Sequence, residues 1–167
     1  KLKKISCQTI LKDNSIEKGI LTSGYESFAY KDSKYIVHHC NFNNLRDSSD
    51  YELKVFDDIN KLLDTRNFKT LSLHKDNVSI AIVSCLNDLF HIPFMWDKLK
   101  SKNPDYLFMI GDNVYGDLFK SYIQIDESHL WDRYIHSWLV YKIFQHKDLT
   151  PILALWDDHD YGEDNAD

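Results

Sequence analysis

Proline and glycine are scarce in this chain, 3 and 5 residues among 167. That scarcity, beside a 43% hydrophobic content, excludes collagen-like, low-complexity and disordered classes. Cysteine is scarce as well. Cys7, Cys40 and Cys85 are too few and too scattered for a disulfide framework, and no C-x-x-C pair suggests structural zinc. Their odd number leaves at least one thiol outside any intrachain bridge. No apolar run approaches the roughly 18–20 residues that span a bilayer, so no transmembrane segment is expected. Positive charge is outnumbered, 20 Lys and Arg against 26 Asp and Glu for a net −6. No basic cluster is long enough to track a phosphate backbone, so no nucleic-acid-binding surface is expected. The chain starts at Lys1 without a signal-peptide core and stops at Asp167 inside an acidic loop; the expectation is a piece of a longer protein.

What is present divides into two halves. Residues 1–75 carry short β-type runs separated by polar punctuation. Tyr51, Leu53 and Val55 alternate with Glu52 and Lys54, Asp57-Asp58-Ile59-Asn60 follows as a turn, and Leu62–Leu71 returns. Alternation on either side of an Asp/Asn-rich turn is a hairpin signal. Ser27–Tyr30 and Tyr35–Cys40 have similar character, and a weak helical stretch lies near Asn14. A small antiparallel β-sandwich is expected for this half.

Residues 76–167 alternate between strand and helix patterns. Val78–Cys85, Tyr106–Ile110 and Ile152–Trp156 are short apolar runs of the kind that form strands buried on both faces. Between the first two, Ile92, Met95, Trp96 and Leu99 make one apolar stripe over His91–Ser101, which Pro104 ends. Leu130, Tyr134, Trp138 and Tyr141 make a second stripe over Glu127–His146, expected to face the core. The order β-α-β-α-β implies a parallel sheet with crossover helices.

In a parallel sheet all strand C-termini share one edge, where ligands bind. Here that edge receives Ser84-Cys85, Gly111-Asp112-Asn113-Val114-Tyr115 and Asp157-Asp158-His159-Asp160. Residues 151–167 hold Asp157, Asp158, Asp160, Glu163, Asp164 and Asp167 with no Lys or Arg. Two carboxylates ~4 Å apart at an effective dielectric near 20 repel by roughly 4 kcal/mol. Crowding several of them against Asp112 calls for raised pKa values or a multivalent cation. Oxygen donors joined by a thiolate and a phenolate suit a hard, highly charged ion such as ferric iron. Gly111 permits the tight turn that aims Asp112 at such ions, and an aspartate there suits bridging two of them.

The strings Ser84-Cys85, Gly111-Asp112-Asn113-Val114-Tyr115-Gly116-Asp117 and Trp156-Asp157-Asp158-His159-Asp160-Tyr161-Gly162 resemble, in order and spacing, the PhoD-like alkaline phosphatases of the metallophosphoesterase superfamily. Tyr51–Leu71 resembles the end of the immunoglobulin-like domain that precedes the catalytic domain in that family. The resemblance implies that 1–75 is an incomplete immunoglobulin-like domain and 76–167 the N-terminal half of a metallophosphoesterase domain. It implies Cys85 as a thiolate ligand to iron, Asp112 as the carboxylate bridging two metals, Tyr115 as a tyrosinate ligand and Asp158 as a ligand of the second metal. His159 becomes the proton donor to the leaving group, oriented from behind by Asp160. The cofactors implied are Fe3+ with calcium or another divalent metal, the substrate a phosphate mono- or diester hydrolysed by a metal-activated water, and the location extracytoplasmic or secreted. After the aromatic residue this chain reads Gly162-Glu163-Asp164-Asn165-Ala166-Asp167, where the family often has G-x-N-D-x-G, so those residues carry no assignment. The superfamily takes further His and Asp ligands from a second half of the domain. The competing expectation is therefore a catalytically incomplete fragment, acting only as a binding or non-functional module, with apolar sheet residues Leu107, Met109, Leu153 and Leu155 uncovered.

Other readings compete at single positions. Asp117 suits a metal or supporting role and a helix N-cap equally. His129, His136 and His146 read as surface or packing residues of the long helix, and His38-His39-Cys40 as strand decoration. A haloacid-dehalogenase-type phosphatase would share G-D-x-x-x-x-D, but Val83-Ser84-Cys85-Leu86 lacks the nucleophilic aspartate that chemistry requires.

Overall fold

The computed structural model describes residues 4–12, 20–31, 33–72, 74–90, 92–118, 125–162 and 164–165. The weak helical stretch near Asn14, together with His91, Glu163, Ala166 and Asp167, lies outside the described residues. The chain forms two compact units, Lys1–Asp76 with Lys147–Leu149, and Asn77–His146 with Thr150–Asp167.

The first unit contains two antiparallel sheets. One has the order β2-β1-β5-β6, built from β1 (Ile5–Leu11), β2 (Ile20–Leu21), β5 (Asp50–Asp57) and β6 (Leu62–Lys69). The other pairs β3 (Gly24–Phe28) with β4 (Val37–Asn41). The β5–β6 hairpin closes because Asp57 Oδ1 accepts from the amides of Ile59 and Lys61, at 3.1 and 2.7 Å, while Asn60 takes a positive φ of 67°. Asp and Asn are the residue types that tolerate such a turn. Tyr51 lies opposite Phe68 in the register, and their rings stack at 5.4 Å. Strand β1 carries Cys7, Thr9 and Leu11 inward, an alternation that thiol and hydroxyl side chains hide in the sequence. Lys147–Leu149 joins this unit by pairing along Asn67.

The second unit is a parallel sheet in the order β7-β8-β9, made by β7 (Ile80–Val83), β8 (Tyr106–Ile110) and β9 (Ile152–Leu155). Helix α1 (Pro93–Ser101) links the first pair, with Pro at a position where its missing N–H costs nothing. Helix α2 (Glu127–Val140) links the second pair, its first turn capped by Asp126, which accepts from the His129 amide at 2.9 Å. A single turn, α3 (Asp158–Tyr161), follows β9. Leu86, Trp96, Leu107, Met109, Tyr141 and Ile143 form the buried core, with Ala81, Val83, Leu99 and Ile152 packed against it.

Four expectations need correction here. The strands are not buried on both faces. Ala81, Val83, Leu107 and Met109 face the core, but the opposite face leaves Ile80, Ile82, Ile110, Leu153 and Leu155 exposed. Of the four residues expected to be uncovered, Leu107 and Met109 are therefore buried, because they point toward α1, while Leu153 and Leu155 are open. The long helix stops at Val140, and Tyr141 is extended, so His146 follows a separate 3₁₀ turn over Lys142–Phe144. Finally, the buried residues of α2 are Arg133, Ile135 and Ser137, whereas Trp138 of the expected core stripe is exposed.

Candidate functional site

Strands β7 and β8 of the parallel sheet end in a backbone that turns sharply. Cys85 has φ 53° and Asp112 φ 50°, both in the left-handed region, and Gly111 has φ 104°. A non-glycine residue held there costs about 1–3 kcal/mol and persists only when its surroundings enforce it. The enforcement is visible: the Leu86 amide donates to the Asp112 carbonyl at 2.8 Å, and the Cys85 amide to the Gly111 carbonyl at 3.3 Å. Gly111 has no alternative, since a Cβ there would sit 2.8 Å from Cβ of Asp157.

These turns bring the side chains together. Cys85 Sγ and Tyr115 Oη each lie 3.5 Å from Oδ2 of Asp112, an ordinary distance for the sulfur and the outer limit for the hydroxyl. Oδ1 of Asp112 is buried and has no hydrogen-bond partner among the described residues. One ligand atom each from Asp112, Asp158 and His159 lies within 4.8 Å of the others. Two donors at ~2.0–2.3 Å from one ion stand at most about 4–4.6 Å apart, so a group bounded at 4.8 Å is near the size that one cation spans. Asp112 thus keeps lone pairs on Oδ1 that no described donor uses.

Behind this cluster the acidic run resolves into separate jobs. Asp157 and Asp160 cap α3: Asp157 Oδ1 accepts from the Asp158 amide at 3.0 Å, and Asp160 Oδ2 from the Asp157 amide at 2.9 Å. Asp160 is only 1% exposed. Its Oδ1 accepts from the Val114 amide at 2.9 Å, and Asn113 Nδ2 donates to Oδ2 at 3.4 Å. Burial pushes its carboxyl above the ordinary range, and the N–H donors from Asp157, Val114 and Asn113 oppose that rise. Asp160 therefore does not orient His159, and the expectation that it does is corrected. The carboxylates on His159 are Asp117, whose Oδ1 is 2.9 Å from Nδ1, and, more distantly, Asp164, whose Oδ1 is 3.7 Å from Nε2.

His159 stacks on the Tyr115 ring at 4.3 Å, and its carbonyl accepts from the Gly116 amide at 2.8 Å. Burial by itself lowers the His159 pKa; Asp117, then Asp112 and Asp158, outweigh it and the net shift is upward. Tyr115 is pushed up to about 12, first by burial and then by the negative charge of Asp112 and by Cys85. Asp158 is held below the usual carboxylate range, chiefly by the Asn165 amide that donates to Oδ2.

The structure thus brings Cys85, Asp112, Tyr115, Asp158 and His159 to one edge and assigns Asp160 to the scaffold. Asp117 was ambiguous in the sequence. Asn113 gave no signal at all: its Nδ2 donates to the Leu155 carbonyl at 2.6 Å and ties the second loop to the third strand. No family model matches the chain, and no curated protein matches it with significance.

Proposed function

We propose that the second unit carries part of the site of a metal-dependent phosphoric ester hydrolase, resembling the PhoD-like phosphatases of the metallophosphoesterase superfamily. The observation that supports this most is the carboxylate of Asp112: Oδ1 is buried with no hydrogen-bond partner among the described residues, Oδ2 faces Cys85 and Tyr115, and one of the two oxygens groups with Asp158 and His159. On this reading Cys85, Asp112 and Tyr115 would hold ferric iron, and Asp112 with Asp158 would hold calcium or another divalent ion. Ions bound there would supply Lewis acidity, neutralising charge that develops on a phosphoryl group and acidifying water. The first unit is read as an immunoglobulin-like module.

The chain's own residues have separable parts in the reaction. Asp117 fixes the imidazole of His159 through Nδ1 and favours its charged form, and Nε2, which lies 3.7 Å from Oδ1 of Asp164, is the nitrogen that would carry the proton for a departing alkoxide. Stacking on Tyr115 holds the ring plane. Asp160, Asn113 and Gly111 keep the second and third loops in contact, so that Asp158 reaches Asp112.

Binding and hydrolysis are tested separately. Mn2+ titrated calorimetrically into the chain is expected to bind the native sequence, and Asp112→Asn to weaken it by at least about tenfold. Turnover of bis-p-nitrophenyl phosphate with Fe3+ and Ca2+ present then asks whether this ligand set suffices for hydrolysis. Equal Mn2+ affinity in native and Asp112→Asn chains would remove Asp112 from any metal site.

A further inference from the structure

Arg133 is a buried cation on α2, and nothing in the ligand set accounts for it. Its guanidinium has two partners. One terminal nitrogen pairs with Oδ1 of Asp88, whose side chain is fully buried in the loop after β7. Nε donates to the main-chain carbonyl of Tyr115, in the loop after β8, at 3.0 Å. Oδ2 of Asp88 faces Nε2 of His136 at 3.3 Å. One turn further, Tyr141 donates through its hydroxyl to the Leu86 carbonyl, and lies 3.4 Å from that of Asn113. Tyr134 donates to the Asp160 carbonyl at 2.8 Å. A single helix and its C-terminal residue therefore fasten all three loops that deliver the candidate ligands.

An ion pair taken wholly out of water is a poor stabilising device, because desolvation offsets its attraction and an apolar pair of similar volume often serves as well. The guanidinium differs in being a rigid fork that holds two acceptors at fixed geometry. We propose that Arg133 is a positioning residue: bound to Asp88 and to the Tyr115 carbonyl at once, it sets the loops of Cys85 and Tyr115 at the separation that lets both converge on Asp112. Its consequence for metal binding rests on the hydrolase reading above; its effect on loop geometry does not.

The test removes both charges together, as Arg133→Met with Asp88→Leu in the full chain, and reads three quantities. The thermal midpoint is expected to stay near that of the native chain. Exchange of the Gly116 amide, which donates across the loops to His159, is expected to accelerate by at least about tenfold. Mn2+ affinity is expected to fall by about 10–100-fold, the usual effect of disturbing groups behind metal ligands. Native exchange and native affinity in a folded double variant would overturn the proposal. Should that variant not fold, Arg133→Lys keeps the charge opposite Asp88 but lacks the fork, and the same two readouts decide. If the native chain binds no Mn2+, the metal reading fails, and the Gly116 exchange still decides the positioning role. Lys142→Ala, which removes only an exposed pair with Asp97, is the control expected to leave all three unchanged.

Discussion

Two aspartates near His159 illustrate how little residue type alone fixes a role. Asp160 accepts from three nitrogens and is almost wholly enclosed, so replacing it by Ala leaves buried donors without acceptors. Such losses cost about 1–3 kcal/mol for each stranded group, and Asp160→Ala is expected to destabilise the chain by about 3 kcal/mol in denaturant titration. Asp117 touches the imidazole itself. Its effect is best seen in metal-free protein, in the presence of chelator. The folded pKa of His159 lies above the ordinary 6.5, so the stabilisation from this contact is complete below pH ~6.5 and is lost as pH rises through the folded value. Asp117→Asn should therefore lower the thermal midpoint more near pH 6 than near pH 9, and should lower the NMR titration midpoint of His159. A midpoint gap that does not narrow at alkaline pH would show that Asp117 acts through packing and not through charge.

At the scale of elements, local chemistry and long-range bonds divide the explanation. The start of α2 is set locally, by Asp126 accepting from the His129 amide. Asp126→Ala should cost about 1 kcal/mol, measurable as a lower midpoint with an unchanged denaturant slope. Its end is set from outside, because Tyr141 leaves the helix to reach the Leu86 carbonyl. Periodicity runs on through Leu139, Val140 and Tyr141, so nothing local announces that stop. The same contrast governs the rest of the molecule. The strand–helix alternation after Asn77 was legible because apolar runs are punctuated by Pro93, Pro104, Gly111 and Pro151. The hairpin was legible from Asp57 and Asn60. Strand β1 was not, since Cys7 and Thr9 mark its inward face weakly. The clustering of Cys85, Asp112, Tyr115, Asp158 and His159 followed from their places at successive strand ends. Asp88, Asn113 and Arg133 stayed hidden because their partners lie 18 to 45 residues away in the chain.

At the scale of the whole chain, the open face of the parallel sheet is the largest consequence of how the second unit is layered. Ile82 is 62% exposed and Leu155 68%, with Ile80, Ile110 and Leu153 beside them, and the strands β7 and β9 form the two edges of the sheet. Fully burying one such side chain contributes about 1.5–3 kcal/mol, so five that are half covered already have about 5 kcal/mol left to gain on each copy. Two copies meeting face to face would gain roughly 10 kcal/mol, against an association cost of about 4–15 kcal/mol. The balance is close to zero, which argues for weak, reversible self-association and against a tight dimer. Light scattering should accordingly show an apparent mass that rises with protein concentration. Ile82→Lys with Leu153→Lys, both on the exposed face, should flatten that rise, since each places a charge where contact would strip its water. The thermal midpoint should move little, because neither side chain packs in the core. A concentration dependence that survives both substitutions would assign the association to another surface, with the hydrogen-bonding edges of β7 and β9 the next to test.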